Sequence, residues 1–117
     1  MAITMNLTPN NVDASASNFV YGIATLTFSG SYTNGMGDTL DFTQVADKIS
    51  SSSVVQAFAE SQNGNGAYFY VVQQGAALNS WKLRVYAVNG TELATGAYPG
   101  SVTGDVVQLT LTARKLL

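Results

Sequence analysis

The 117 residues hold five Lys and Arg against seven Asp and Glu, no His and no Cys, with 46% of positions hydrophobic and 10% charged. That length suits one ordinary domain, and so little charge excludes both a basic nucleic-acid surface and a chain too polar to fold. Without Cys or His there is no disulfide, no thiol nucleophile, no imidazole base and no zinc site of the usual ligand set. The longest uninterrupted apolar run, Ala67 to Val72, falls far short of the roughly 20 residues of a membrane-crossing helix. Neither a catalytic site nor a cofactor is expected. The first residues, Met1 to Leu7, lack the basic and apolar stretches of a secretion signal, so synthesis in a cytoplasm without export is expected.

Ile3, Met5 and Leu7 alternate with Thr4, Asn6 and Thr8 before Pro9-Asn10-Asn11, the pattern of a short strand followed by a turn. Asp13 to Asn18 is small and polar. It reads as a loop, with an arm ordered only against a neighbour as the alternative, so residues 1–18 form an N-terminal strand or arm ahead of one domain over 19–117. From Phe19 to Gly30 the even positions Val20, Gly22, Ala24, Leu26 and Phe28 look like a core face, and Phe19, Tyr21, Ile23, Thr25 and Thr27 point the other way. Asn34-Gly35-Met36-Gly37 is a turn signal. One short helix near residues 42–48 follows, with Asp41 as its cap and Gln44 reaching back in a capping box. Leu40 and Val45 would staple its start, and Phe42, Val45 and Ile49 form its apolar stripe.

Strand candidates fill the rest: Val54 to Glu60, Ala67 to Gln73, Ser80 to Val88, a weak piece near Glu92 to Thr95, and Val106 to Arg114. Asn63-Gly64-Asn65-Gly66 predicts a tight hairpin between the first two, Asn89-Gly90 predicts another, and Pro99-Gly100 marks a turn. Short strands at this spacing predict an all-β antiparallel sandwich or barrel of about seven or eight strands. Trp81, Leu83, Val85 and Ala87 should face inward, as should Val107, Leu109, Leu111 and Ala113. Tyr68, Tyr70 and Val72 share one face and Ala67, Phe69 and Val71 the other, so this strand has no polar side. It is either central in the sandwich or covered by a partner.

Candidate chemistry is sparse. Asp38, Asp41 and Asp47 are the densest acidic group; against a calcium or acid-base role, a capping Asp41 and the lack of calcium-loop spacing favour a structural reading. Lys82, Arg84 and Tyr86 share a strand face that could suit single-stranded nucleic acid, but outward Tyr more commonly serves protein contact.

The stretch Phe28-Ser29-Gly30-Ser31-Tyr32-Thr33, the turn leading to Gly37-Asp38-Thr39-Leu40, the brief helix and the strand Trp81-Lys82-Leu83-Arg84-Val85-Tyr86 resemble the small all-β head decoration, or cement, proteins of tailed bacteriophages. The resemblance spans about residues 19 to 114. It implies a structural virion protein, made in the bacterial host cytoplasm, that binds the outer surface of the phage head at capsomer junctions and stabilises the shell. The implied partners are the major capsid protein and further copies of the chain as a dimer or trimer, with neither nucleic acid nor membrane. The interface residues expected on this reading are Ile3, Met5 and Leu7, as a strand added to a neighbour's sheet, and the aromatic positions Phe19, Tyr21 and Tyr86. A tail or neck component is the alternative, followed by a carbohydrate-binding module using Trp81 and the tyrosines.

Overall fold

The computed structural model describes residues 3–49, 53–62 and 66–115. The described residues form ten strands in antiparallel sheets with two short α-helices. The first sheet orders β1 (Ile3–Asn6), β3 (Phe19–Phe28), β10 (Val107–Arg114) and β6 (Val54–Ser61), with β2 (Val12–Asp13) continuing the β1 side of β3. The second sheet orders β5 (Asp38–Leu40), β8 (Trp81–Ala87) and β7 (Tyr68–Gln73), and β4 (Ser31–Tyr32) pairs with β9 (Gly96–Ala97). β1 lies beside β5 and β6 beside β7, so the two main sheets face each other as a sandwich around one core.

The alternation read from the sequence assigns the faces. Val20, Ala24, Leu26 and Phe28 of β3 are buried, as are Val107, Leu109, Leu111 and Ala113 of β10. Against them pack Leu40, Trp81, Leu83 and Val85 of the second sheet, each large aliphatic side chain contributing about 1.5–3 kcal/mol on burial. Aromatic rings bridge the two layers: Phe28 stacks on Tyr70 with centroids 5.7 Å apart, and Phe42 meets Trp81 edge to face at 5.1 Å. Gly37, at φ 78°, lies where a Cβ would come within 2.7 Å of the Leu83 carbonyl oxygen, so only glycine satisfies both this turn and the approach of β8.

Several expectations are corrected. The helix near 42–48 is two pieces, a 3₁₀ turn over Phe42–Gln44 and α1 (Ala46–Ile49). Asp41 does cap it, accepting from the Thr43 backbone N–H at 2.9 Å and from the Thr43 hydroxyl. Gln44 makes no capping box. Its Oε1 accepts from the Met5 backbone N–H at 2.9 Å and its Nε2 donates to the Ile3 carbonyl at 3.2 Å; the side chain does for β1 what another strand would do, because a long amide can present a donor and an acceptor at once. β1 and β2 both pair with β3 in the first sheet. The loop after β2 is tied down by its own chain, Lys115 Nζ donating to the Ala14 and Ala16 carbonyls at 2.6 and 3.0 Å.

The tight hairpin at Asn63-Gly64-Asn65-Gly66 falls largely outside the described residues, and β6 and β7 pair in different sheets rather than with each other. At Asn89-Gly90 the chain does reverse, with Gly90 at φ 94° and a single bridge between Tyr86 and Glu92. Pro99-Gly100 opens α2 (Gly100–Thr103) instead of a simple turn. The strand without a polar side, β7, is not central: it ends the second sheet and leaves Phe69 and Val71 44% and 42% exposed.

Replacing Gln44 by Ala removes the partner of two β1 backbone groups and should lower unfolding free energy by about 1–3 kcal/mol. A urea titration followed by tryptophan fluorescence measures this, and an unchanged midpoint would show that the amide does not hold the strand.

Candidate functional site: two outward faces

With the odd positions of β3 pointing away from the core, the outer face of the first sheet is set by register. Ile23 of β3 stands beside Thr110 of β10, which stands beside Phe58 of β6. The next row is Tyr21, Thr112 and Gln56, and the one on the other side is Thr25, Gln108 and Glu60. Phe58 is 61% exposed, Tyr21 44% and Ile23 39%. At the end of the face the Arg114 guanidinium lies 6.0 Å from the centre of the half-buried Phe19 ring, within cation-π range. Beside β3 the segment Asn10 to Asp13 walls a groove of about 320 Å³ against Tyr21 and Ile23. Asp13, at its rim, accepts from the Ser15 backbone N–H and hydroxyl at 2.9 and 2.6 Å, which holds its carboxyl below the usual range.

The second sheet presents Phe69 and Val71 of β7 and Lys82, Arg84 and Tyr86 of β8. Phe69 and Tyr86 are cross-strand partners with stacked rings 5.6 Å apart, a pair of the kind that adds to sheet stability. Of the two cations only Arg84 is neutralised, and Lys82 keeps its charge. Arg84 binds Glu92 through two hydrogen bonds of 3.1 and 3.0 Å, and Lys82 donates to the Thr39 hydroxyl at 3.1 Å.

Behind Arg84 the polar groups form a closed network. The fully buried Tyr32 donates to Glu92 Oε2 at 2.7 Å and accepts from the Val85 backbone N–H at 3.1 Å, while the Gly35 N–H donates to Glu92 Oε1 at 3.0 Å. Hydrogen bonds from Arg84 and Tyr32 hold the Glu92 carboxyl below its usual range. Burial, reinforced by Glu92, pushes the Tyr32 phenol up to about 12. Two more tyrosines do the same: Tyr98 donates to Asp38 at 2.5 Å, its phenol also raised by burial, and Tyr70 donates to Asp105 at 2.9 Å.

The interface residues expected from the sequence are thus split. Phe19 and Tyr21 lie on the first outer face and Tyr86 on the second. Ile3, Met5 and Leu7 are core residues, 0%, 5% and 1% exposed, because β1 pairs with β3 from Ile3–Phe28 to Asn6–Thr25 and turns these side chains inward. The edge of β1 away from β3 is met by the Gln44 amide at Met5 and Ile3. Phe58, Ile23, Phe69 and Val71 were missing from that set. Their outward direction was legible from period-two alternation, but it takes the ladder to show that Ile23 and Phe58 flank one threonine. Trp81 is buried against Phe42 and offers no ring to a sugar. Asp38, Asp41 and Asp47 do not converge: Asp38 takes the Tyr98 hydroxyl, Asp41 caps the 3₁₀ turn and Asp47 is exposed.

The fold is an all-β antiparallel sandwich, with apolar and aromatic side chains on both outer faces. No protein-family model, curated protein or solved structure matches the chain. No helix among the described residues is long and apolar enough to cross a membrane.

The Tyr–carboxylate network sets the pH limits. Glu92 has a lowered folded-state pKa, so its contribution is present above the ordinary value of 4.5 and lost as pH falls below it. Tyr32 has a raised one, so its contribution is present below pH 10 and lost as pH rises from 10 through about 12. With no His, melting temperature should be flat between about pH 6 and 8 and fall beyond both limits; a transition inside that flat range, seen by calorimetry, would contradict this.

Proposed function

We propose that this chain is a structural adhesive protein of the phage virion, a head decoration protein that binds the outer surface of the shell where capsomers meet. The observation that supports the reading is the pair of outward faces, both weakly charged and both bearing exposed aromatic and branched apolar side chains. A single exposed apolar residue needs no explanation, but clusters on both broad sides of a small domain mark contact surfaces. The resemblance over residues 19 to 114 supplies the kind of partner.

A protein that bridges subunits has to hold at least two surfaces at once. On this proposal the Phe69, Val71 and Tyr86 face meets the major capsid protein, and the Phe19, Tyr21 and Phe58 face is left for a neighbour on the lattice. Repetition makes modest contacts sufficient, since a molecule held at one site presents its second face at high effective concentration. The chemistry required is burial and hydrogen bonding, so neither a cofactor nor a reaction enters it.

Purified protein added to expanded, undecorated heads should bind in a regular array visible by electron cryomicroscopy. Phe69→Asp and Val71→Asp should each lower occupancy at least tenfold while leaving the circular dichroism spectrum unchanged. Quantitative mass spectrometry of virions should find copies in proportion to capsid subunits; a single ring's worth would place the protein at the neck or tail, and none at all would remove it from the particle.

A further inference from the structure

The outer face of the first sheet is complementary to itself. It is four columns wide: β1 and β2 together, then β3, β10 and β6. β1 ends where Asn6 meets Thr25 and β2 begins where Val12 meets Gly22, so no strand residue fills the first column beside Ile23. That gap is the groove between the Asn10–Asp13 segment and Tyr21 and Ile23. At the other edge, in the same register row, Phe58 projects as the most exposed aromatic side chain of the face. A groove and a knob therefore sit at equal distances on either side of the midline between β3 and β10.

We propose that two copies pack outer face to outer face about a twofold axis parallel to β3 and β10 and midway between them, each Phe58 ring entering the other copy's groove beside Ile23. The symmetry follows from the columns. Rotation about that axis lays β10 of one copy over β3 of the other and β6 over the β1–β2 column, so both knobs meet both grooves in one closed, isologous contact. The groove volume of about 320 Å³ exceeds the roughly 150 Å³ of a cavity that holds benzene, which leaves room for the phenyl ring.

Charge placement favours the same arrangement. Among the described residues, the strands of this face carry three outward charges, Asp13, Glu60 and Arg114. The rotation places Asp13 opposite the partner's Gln56, Glu60 opposite the partner's Asn6, and Arg114 opposite the partner's Phe19, because these pairs occupy matching rows in exchanged columns. No charge is set opposite a like charge, and each carboxylate faces a side-chain amide able to donate to it. Four columns about 4.8 Å apart and about eight residues of ~3.4 Å each make roughly 500 Å² of flat contact per copy. That is at the low end for specific interfaces, so the pair should be reversible, with Kd between about 1 µM and 1 mM. The pairing stands on this face alone and does not depend on what the second face binds.

Sedimentation equilibrium on the purified chain should show a monomer–dimer equilibrium in that range. Phe58→Lys and Ile23→Glu should each raise Kd at least tenfold, both at exposed positions and with folding checked by circular dichroism. The decisive sample is the double variant carrying both substitutions. The proposed axis sets each ammonium introduced at position 58 against the carboxylate introduced at position 23 of the other copy, so Kd should return to within about threefold of the parent. An axis laying β6 on β6 would instead set like charges together and make the double variant the weakest. That result, an unchanged Kd for Phe58→Lys, or a parent chain monomeric at about 1 mM, would each overturn the proposal.

Discussion

The ladder between β3 and β10, unbroken from Leu26–Val107 to Phe19–Arg114, is the constraint on which the rest of the molecule depends. A strand has only two faces, and a slip of one residue would exchange them. The register that buries Leu26, Leu109 and Leu111 therefore also places Tyr21, Ile23 and Thr110 outside. It further fixes where β6 and the N-terminal strands attach, since each is paired to one of these two. The bulge between Thr112 and Ala113 opposite β6 adjusts the end of the ladder without changing which residues face out.

A domain this small, without disulfides, has to hold its layers by packing and by polar groups that are satisfied when buried. Here three tyrosine hydroxyls donate to three carboxylates, Tyr32 to Glu92, Tyr98 to Asp38 and Tyr70 to Asp105. Each joins residues far apart in the chain, and each pairs a ring that packs in the apolar core with an acid that a buried hydroxyl can satisfy. No buried side-chain nitrogen or oxygen among the described residues lacks a partner. Few acids are left for the surface as a result, which is part of why the outer faces are so weakly charged.

Low surface charge and exposed apolar groups reduce repulsion between copies and favour association. That carries a risk of uncontrolled aggregation through exposed sheet edges. The placement of the sheet ends limits it: β5 lies beside β1, β7 beside β6, and the Gln44 amide occupies backbone groups of β1. The broad faces are thereby left as the surfaces with exposed apolar side chains.

From the amino-acid sequence came the all-β class, the inward and outward sets of the long strands, the Asp41 cap and the turns at Gly35, Gly37 and Gly90, because each depends on residues within a few positions of one another. The short strands β2, β4, β5 and β9 were not legible, being two or three residues that are extended only because a distant partner pairs with them. Gln44 was assigned to its own helix since its true partners, Met5 and Ile3, lie 39 and 41 positions away. Ile3, Met5 and Leu7 read as a strand for a neighbour's sheet, and only the pairing of β1 with β3 shows their side chains in the core. Local pattern says which side of a strand is apolar; only tertiary structure says what lies against that side, because burial is a property of neighbours brought together by the whole chain.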